Sequence, residues 1–399
     1  MGKEVPGEEA KTANGPRDRS QRLPSLISED LLFILAVYGL SRLFYLVAGA
    51  LFAAYLPPST FHAHTPDVPL GTLNLWAHWD GIWYSEIAAE GYGGHAPAST
   101  AFFPLYPLLM RSFAGLFGGP LSLGALSMWG VLISLLALPS AFYFVYRIAE
   151  DGWGTRVAKV TVLTMAFFPT AFFFNAAYTE SLFLALSAAS LWAARVRKDL
   201  LLACALAAFA SATRSVGVFL VVPLVHEWLK EGAGKTYRWW RGTACLALAS
   251  SGLLLYAGYL WSRFGNPFLF YSMQEGYWNR TLTDPFTTLR QLASHFGTTH
   301  NLYDLMFLGL ALTLLLVGLR TLPLDLNAYA FLLVLPSAFY GTPQGPLIGL
   351  PRYMLVAFPM FIVLGSLLKG RRILGGWLVL SGAASLALCA LFVSWRFVA

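Results

Sequence analysis

Beyond residue 30 the chain is dominated by long apolar runs separated by short polar connections. The runs cover 31–56, 121–146, 157–175, 180–195, 199–213, 215–229, 242–263, 303–319, 325–341, 353–368 and 373–395. Their length, about 15–26 residues, brackets the ~20 that a membrane-spanning helix needs and exceeds the ~10 of a barrel strand. A helix also satisfies its backbone groups within one segment, as lipid requires. The pattern therefore predicts an all-α, polytopic transmembrane bundle with about ten or eleven spans. The runs 180–195, 199–213 and 215–229 are, with 353–368, the shortest of these predicted spans.

Composition supports the same reading. The 399 residues are 57% hydrophobic and 12% charged, with mean hydropathy +0.60. Soluble domains carry about 25% charged residues. A soluble protein of this size would have to leave much of its apolar side chain on the surface. Residues 1–30 are polar, with Pro6, Gly7, Gly15 and Pro16, and read as a disordered tail. The first apolar run is too long for a signal h-region of about 7–15 residues and reads as an uncleaved first span. Residues 31–399 then form a single integral membrane domain. Cys204, Cys245 and Cys389 all fall in apolar runs without a C-x-x-C pair and read as small core residues.

Basic residues alternate between the two sides of the predicted bundle. One side collects 19 Lys and Arg, the other 7, and Arg42 lies inside the first run, which accounts for all 27. Positive loops stay cytoplasmic, so the N-terminus is expected inside, and an eleven-span count puts the C-terminus outside. The net charge of +7 forms no single patch, so nucleic acid is not an expected partner. The cytoplasmic connections hold neither a G-x-x-x-x-G-K-[ST] nor a G-x-G-x-x-G nucleotide loop. The two long loops, 57–120 and 264–302, both fall outside, where long loops are expected to carry function.

In the first outer loop, Trp76, Trp79, Trp83 and Ile87 recur at helical spacing. This predicts an interfacial amphipathic helix over 75–90, stopped at Gly91. Asp80 borders that stripe about 40° from Trp76, at ~100° per residue. It is a candidate general base, or else the N-cap of a helix over 81–90. Glu86 and Glu90 read as a solvated face or as polar contacts to substrate. His62, His64, His78 and His95 share the loop but lack a second half with metal-ligand spacing, so no metal site is assigned. The Pro-rich stretch 102–107 is expected to re-enter the membrane surface and start a half-helix over 105–117.

The run HWDGIWYSEIAAEGY, followed by AFFPLYPLL, resembles the PIG-V family. These are mannosyltransferases of the GPI-anchor pathway with bacterial relatives. The resemblance continues through FFPTAFFFNAAYTESLFLALSAASL (167–191), LAAFASATRSVGVFLVVPL (206–224) and PRYMLVAFPMFIVLG (351–365). It covers most of the chain from about 31 to 368, and the order W-D-x-x-W-Y, F-F-P-L-Y-P, Y-T-E-S, R-Y is more specific than any one element. It implies a GT-C type fold and a polyprenyl-phosphate sugar donor, with mannose the expected sugar. It makes Asp80 the catalytic base. Tyr178, Thr179, Glu180 and Ser181 match a second outer-loop motif, and Arg352 and Tyr353 a late R-Y motif. Arg214 matches a T-R motif, but Ser215-Val216-Gly217 departs from the family's usual continuation.

These matches lead to a mechanism. Asp80 takes the acceptor hydroxyl proton while the anomeric carbon is displaced with inversion. Arg352, and after it Arg214, hold the departing phosphate, since a guanidinium can pair two phosphate oxygens. Trp79, Trp83, Tyr84, Glu86, Phe103, Tyr106, Tyr178, Thr179, Glu180 and Tyr353 are the substrate-binding candidates. Glu180 either caps its helix, binds sugar hydroxyls or orients Arg352. No cofactor is expected; the lipid-linked donor is substrate, and activity is expected without added divalent cation. Expected partners are membrane lipids, the polyprenyl-phosphate sugar and an extracytoplasmic glycan or glycolipid acceptor. Arg42, near the middle of the first span, is expected to pair with a carboxylate on another helix. The competing classes are a lipid or solute transporter and a non-catalytic scaffold. A transporter would show repeated halves and mid-membrane polar breaks, and no internal repeat is visible.

Overall fold

The computed structural model describes residues 28–59, 73–93, 97–232, 239–294, 299–342 and 345–398. The tail 1–27, together with His62, His64 and His95, lies outside the described residues.

The architecture is almost wholly helical. The helices are α1 (Glu29–Tyr55), α2 (Asp80–Glu90), α3 (Leu105–Leu116), α4 (Leu123–Trp153), α5 (Thr155–Ala166) and α6 (Glu180–Arg195). They continue with α7 (Leu200–Thr213), α8 (Val221–Gly232), α9 (Trp239–Phe264), α10 (Leu269–Gly276) and α11 (Pro285–Ser294). The last are α12 (Thr299–Thr321), α13 (Leu324–Val334), α14 (Leu350–Val356), α15 (Phe358–Leu367) and α16 (Arg371–Val393). Three short antiparallel strands, β1 (Thr281–Leu282), β2 (Tyr340–Thr342) and β3 (Gly345–Pro346), pair in the order β1-β2-β3.

Among the described residues, five helices are long and apolar enough to cross a bilayer: α1, α4 and the segments Gly242–Phe264, Leu302–Thr321 and Arg371–Val393. The pair α14 and α15 makes a sixth candidate, bent by 82° between Val356 and Phe358. Local signals set several ends. Ser28 Oγ accepts from the Leu31 amide, and Glu29 and Asp30 favour the positive N-terminal end of α1. Asp199 caps α7 through the Leu202 amide at 3.0 Å. Gly154, at φ 83°, makes the turn from α4 into α5.

The short apolar runs became short helices packed inside the bundle. α6 and α7 are rich in Ala and Ser, and small residues let backbones approach closely where no water drives association. Ser190 Oγ donates to Ala203 O across that contact. α9 presses on α7 so closely that a Cβ on Gly252 would lie 2.1 Å from Ala208 O. Leu side chains on α1, α9, α12 and α16 remain exposed, Leu255 and Leu380 at 74% each, as lipid-facing positions do.

Three expectations need correction. The run 157–175 is not one helix: α5 stops at Ala166, and a 3-10 turn covers Ala171–Asn175. The late run 325–341 likewise breaks into α13 and a 3-10 turn. Among the described residues Arg42 pairs with no carboxylate. Its Nη1 donates to Ala171 O (3.1 Å) and Asn175 Oδ1 (2.6 Å), and its Nη2 to Ala166 O (3.2 Å). Its guanidinium also lies 4.9 Å from the Tyr45 ring centre. The charge thus satisfies carbonyls left open where α5 ends, and it ties α1 to the break that leads to Tyr178. Replacing Arg42 with Met would orphan those acceptors. We expect a loss of about 1–3 kcal/mol, read as a lower unfolding temperature in detergent micelles. An unchanged temperature would show that the break holds itself.

Candidate active site

The site starts at the turn before α2. A single helix over 75–90 does not form. A 3-10 turn at Asn74–Trp76 is followed by a break, with Trp79 at φ 56°, and α2 begins at Asp80. The cause is tertiary. The buried Tyr178 hydroxyl donates to His78 O (3.1 Å) and faces the Asp80 amide (3.3 Å), pinning both sides of the break. Trp76 is fully buried and stacks on Phe392 rather than lying in an interfacial stripe. His78 stacks on Trp395 with ring centres 3.8 Å apart, and Trp79 meets Trp395 and Phe397. The segment after α16 therefore backs the Trp79-Asp80 turn and lies on the same side of the bundle. No signal in the sequence pointed to that wall.

Asp80 is the first residue of α2, so its carboxylate is not the cap. Instead Oδ2 pairs with Arg352 Nη1 at 2.7 Å. Arg352 reaches from α14 and also lies 2.8 Å, through Nε, from Glu180 Oε1. The same Glu180 oxygen takes Arg214 Nη1 at 2.7 Å, and Arg214 donates to Thr179 Oγ1 at 3.1 Å. The result is a chain Asp80–Arg352–Glu180–Arg214 assembled from four separated segments. Side-chain exposure runs from 1% at Glu180 through 11% at Arg214 and 13% at Arg352 to 25% at Asp80. The most buried charge, Glu180, lies inside the chain, and the most open, Asp80, at one end of it. Glu180 Oε2 is buried and makes no hydrogen bond among the described residues.

Aromatic rings cover this chain. The Arg352 guanidinium lies 5.0 Å from the Tyr178 ring centre, and that of Arg214 5.5 Å from Tyr353. Tyr84 bonds Thr179. Burial, and after it the Asp80 charge, pushes the Tyr84 and Tyr178 hydroxyls above their ordinary pKa, so both remain neutral donors at physiological pH. Trp83 stacks on Phe102 at 5.6 Å and meets Trp278 at 5.5 Å.

Not every candidate gathers here. Glu86 sits more than a turn beyond Asp80 on α2. Phe103 and Tyr106 are core residues, the Tyr106 hydroxyl being spent on Gly130 O and Ser134. Arg280, which no motif singled out, does join the site: its Nη1 donates to the Tyr353 hydroxyl at 3.0 Å. Its position between α10 and β1 showed no pattern in the sequence.

At the far end of α6, about 22 Å from Glu180 at 1.5 Å per residue, a second cluster ties helices together. Arg195 bridges Glu227 on α8 (3.3 Å) and Asp325 on α13 (2.5 Å), and Lys198 lies 3.4 Å from Glu227. His226 approaches, but both carboxylates already face cations, so this cluster reads as a helix tie.

Comparison with known proteins agrees with this architecture. A solved structure of ArnT from Cupriavidus metallidurans, bound to undecaprenyl phosphate, superposes with TM-score 0.50 at 15% identity, over 87% of this chain and 62% of that one. An oligosaccharyltransferase from Archaeoglobus fulgidus aligns at TM-score 0.45 and 13% identity, over 89% of this chain and 55% of its own. The long apolar helices and the likeness to the ArnT structure make the protein a multi-pass membrane protein with a GT-C type fold. Residues 26–254 match the family described as mannosyltransferase (PIG-V), and the chain belongs to that family. GPI mannosyltransferase 2 of Drosophila pseudoobscura pseudoobscura is 30% identical over 122 residues, which span 29% of this chain and 26% of that protein.

The geometry ranks the two carboxylates. Glu180→Gln strips one side from two buried arginines, and we expect a loss of about 3–5 kcal/mol. Asp80→Asn leaves Arg352 on Glu180 and should cost less. Denaturant unfolding of both variants in micelles checks this, and the reverse order would refute the shared-anchor geometry.

Proposed function

We propose that the protein transfers a hexose, with mannose the expected sugar, from a polyprenyl-phosphate donor to a hydroxyl of an extracytoplasmic lipid-linked or glycan acceptor. The observation that carries this is the Asp80–Arg352–Glu180–Arg214 chain, with its open end at Asp80. Family membership supports the transferase class and the sugar. The 19-to-7 division of basic residues supports a cytoplasmic N-terminus and a site on the other side of the membrane.

In this reading Arg352 holds Asp80 as an aimed carboxylate through Oδ2 and leaves Oδ1 for the acceptor. The acceptor oxygen attacks the anomeric carbon as the bond from that carbon to the phosphate oxygen breaks. The acceptor proton passes to Asp80, and the polyprenyl phosphate leaves with the electron pair. Attack opposite the leaving group inverts the anomeric centre. The unbonded Glu180 Oε2 is placed to accept from a sugar hydroxyl. Trp83 and Tyr84 line the approach along α2. Both carboxylates have guanidinium counter-ions, so we propose that turnover needs no divalent cation.

The test is transfer from radiolabelled polyprenyl-phosphate mannose to host lipid extract by the purified protein in lipid, beside Asp80→Asn. We expect labelled product from the wild type and a fall of roughly 10²–10⁴-fold in the variant, the range for losing a general base. Donor binding should survive in the variant. Equal turnover by both proteins would remove Asp80 from the chemistry, and a wild type that neither binds nor transfers would refute the donor.

A further inference from the structure

The two arginines matched by sequence motifs are already occupied. Arg352 faces both Asp80 and Glu180, and Arg214 spends its Nη1 on Glu180 and Thr179. An incoming phosphate would have to compete with carboxylates 2.7–2.8 Å away. Arg280 is different. Among the described residues it pairs with no carboxylate, and its one side-chain hydrogen bond goes to a neutral phenol, Tyr353. Tyr353 is also the ring beneath Arg214, and its neighbour in sequence is Arg352. Three guanidiniums thus meet two carboxylates in this network, leaving one positive charge in excess.

An uncompensated cation beside a buried ion-pair chain suits an anionic ligand carrying one charge. A sugar esterified to a prenyl phosphate is a phosphodiester and carries one. We infer that Arg280, steadied by the Tyr353 hydroxyl and flanked by Arg214, is the principal phosphate-binding residue of the donor site. Arg352 is then the positioning residue for Asp80 and not the phosphate clamp. This rests on the donor proposed above and adds a residue, an assignment of roles and a reason for the 264–302 loop to be present. The loop delivers Arg280 through α10 and holds it by pairing β1 with β2, two residues from Tyr340 in register with Leu282. As the bond to the sugar breaks, the leaving phosphate gains charge, and Arg280 is the guanidinium free to meet it.

The experiment separates this inference from the donor reading. Farnesyl phosphate and farnesol are titrated into the full-length protein in micelles, with binding read by calorimetry. The proteins are wild type, Arg280→Gln, Arg280→Lys and Arg290→Gln, the last an exposed arginine on α11 as control. The wild type should prefer the phosphate over the alcohol. Arg280→Gln should weaken phosphate binding roughly ten- to hundredfold, the scale of one charge-assisted contact, and leave weak alcohol binding unchanged. Arg280→Lys should recover part of the loss, and Arg290→Gln should match wild type. In transfer assays the Arg280→Gln defect should fall mainly on KM for the donor. If the wild type binds phosphate and Arg280→Gln binds equally well, this inference alone falls. If the wild type shows no preference for the phosphate, the donor reading falls and takes the inference with it.

Discussion

Glu180 is the carboxylate on which the site depends. It opens α6, sits at 1% exposure, and receives Arg352 and Arg214 on one oxygen. A lone buried carboxylate would be costly, and so would either arginine without it. Together they form a stable buried group that pulls in four segments: the Tyr178-Thr179 turn, the end of α7, the start of α14 and, through Arg352, the first residue of α2. The position of Asp80 is a consequence. It hangs from the outer end of this group, where enough exposure remains for a substrate to reach it.

The backbone around the group is irregular for the same reason. Polar side chains at membrane depth need irregular backbone that is itself satisfied inside the protein. Arg42 closes the carbonyls where α5 ends, Tyr178 brackets the break before Asp80, and α14 turns by 82° into α15 just after Arg352. Each break delivers one charged side chain. Long regular spans such as α1, α4 and α16 carry the lipid-facing surface around it.

Two ends of α6 divide the labour. One end holds Glu180 and the candidate chemistry. The other holds Arg195 between Glu227 and Asp325, where the network joins helices. The small-residue face between them lets α4 and α7 pack close, so the two charged ends are held at a fixed separation.

Much of this was legible in the sequence. Run length and composition determined a helical membrane protein, because lipid admits few other solutions. The motifs W-D, Y-T-E-S, T-R and R-Y named Asp80, Glu180, Arg214 and Arg352 one by one. Their pairing was not legible, since nothing along the chain says that Arg352 will meet two carboxylates and Arg280 none. Helical periodicity even misled at 75–90: the tryptophan spacing was real, but the Tyr178 hydroxyl, about a hundred residues away, broke the helix before Asp80. Arg280 and Trp395 stayed invisible because each acquires its role only from what packs against it. Sequence sets which groups exist and the solvent they must live in. Only the tertiary structure decides which charges cancel, and so which one is left for a ligand.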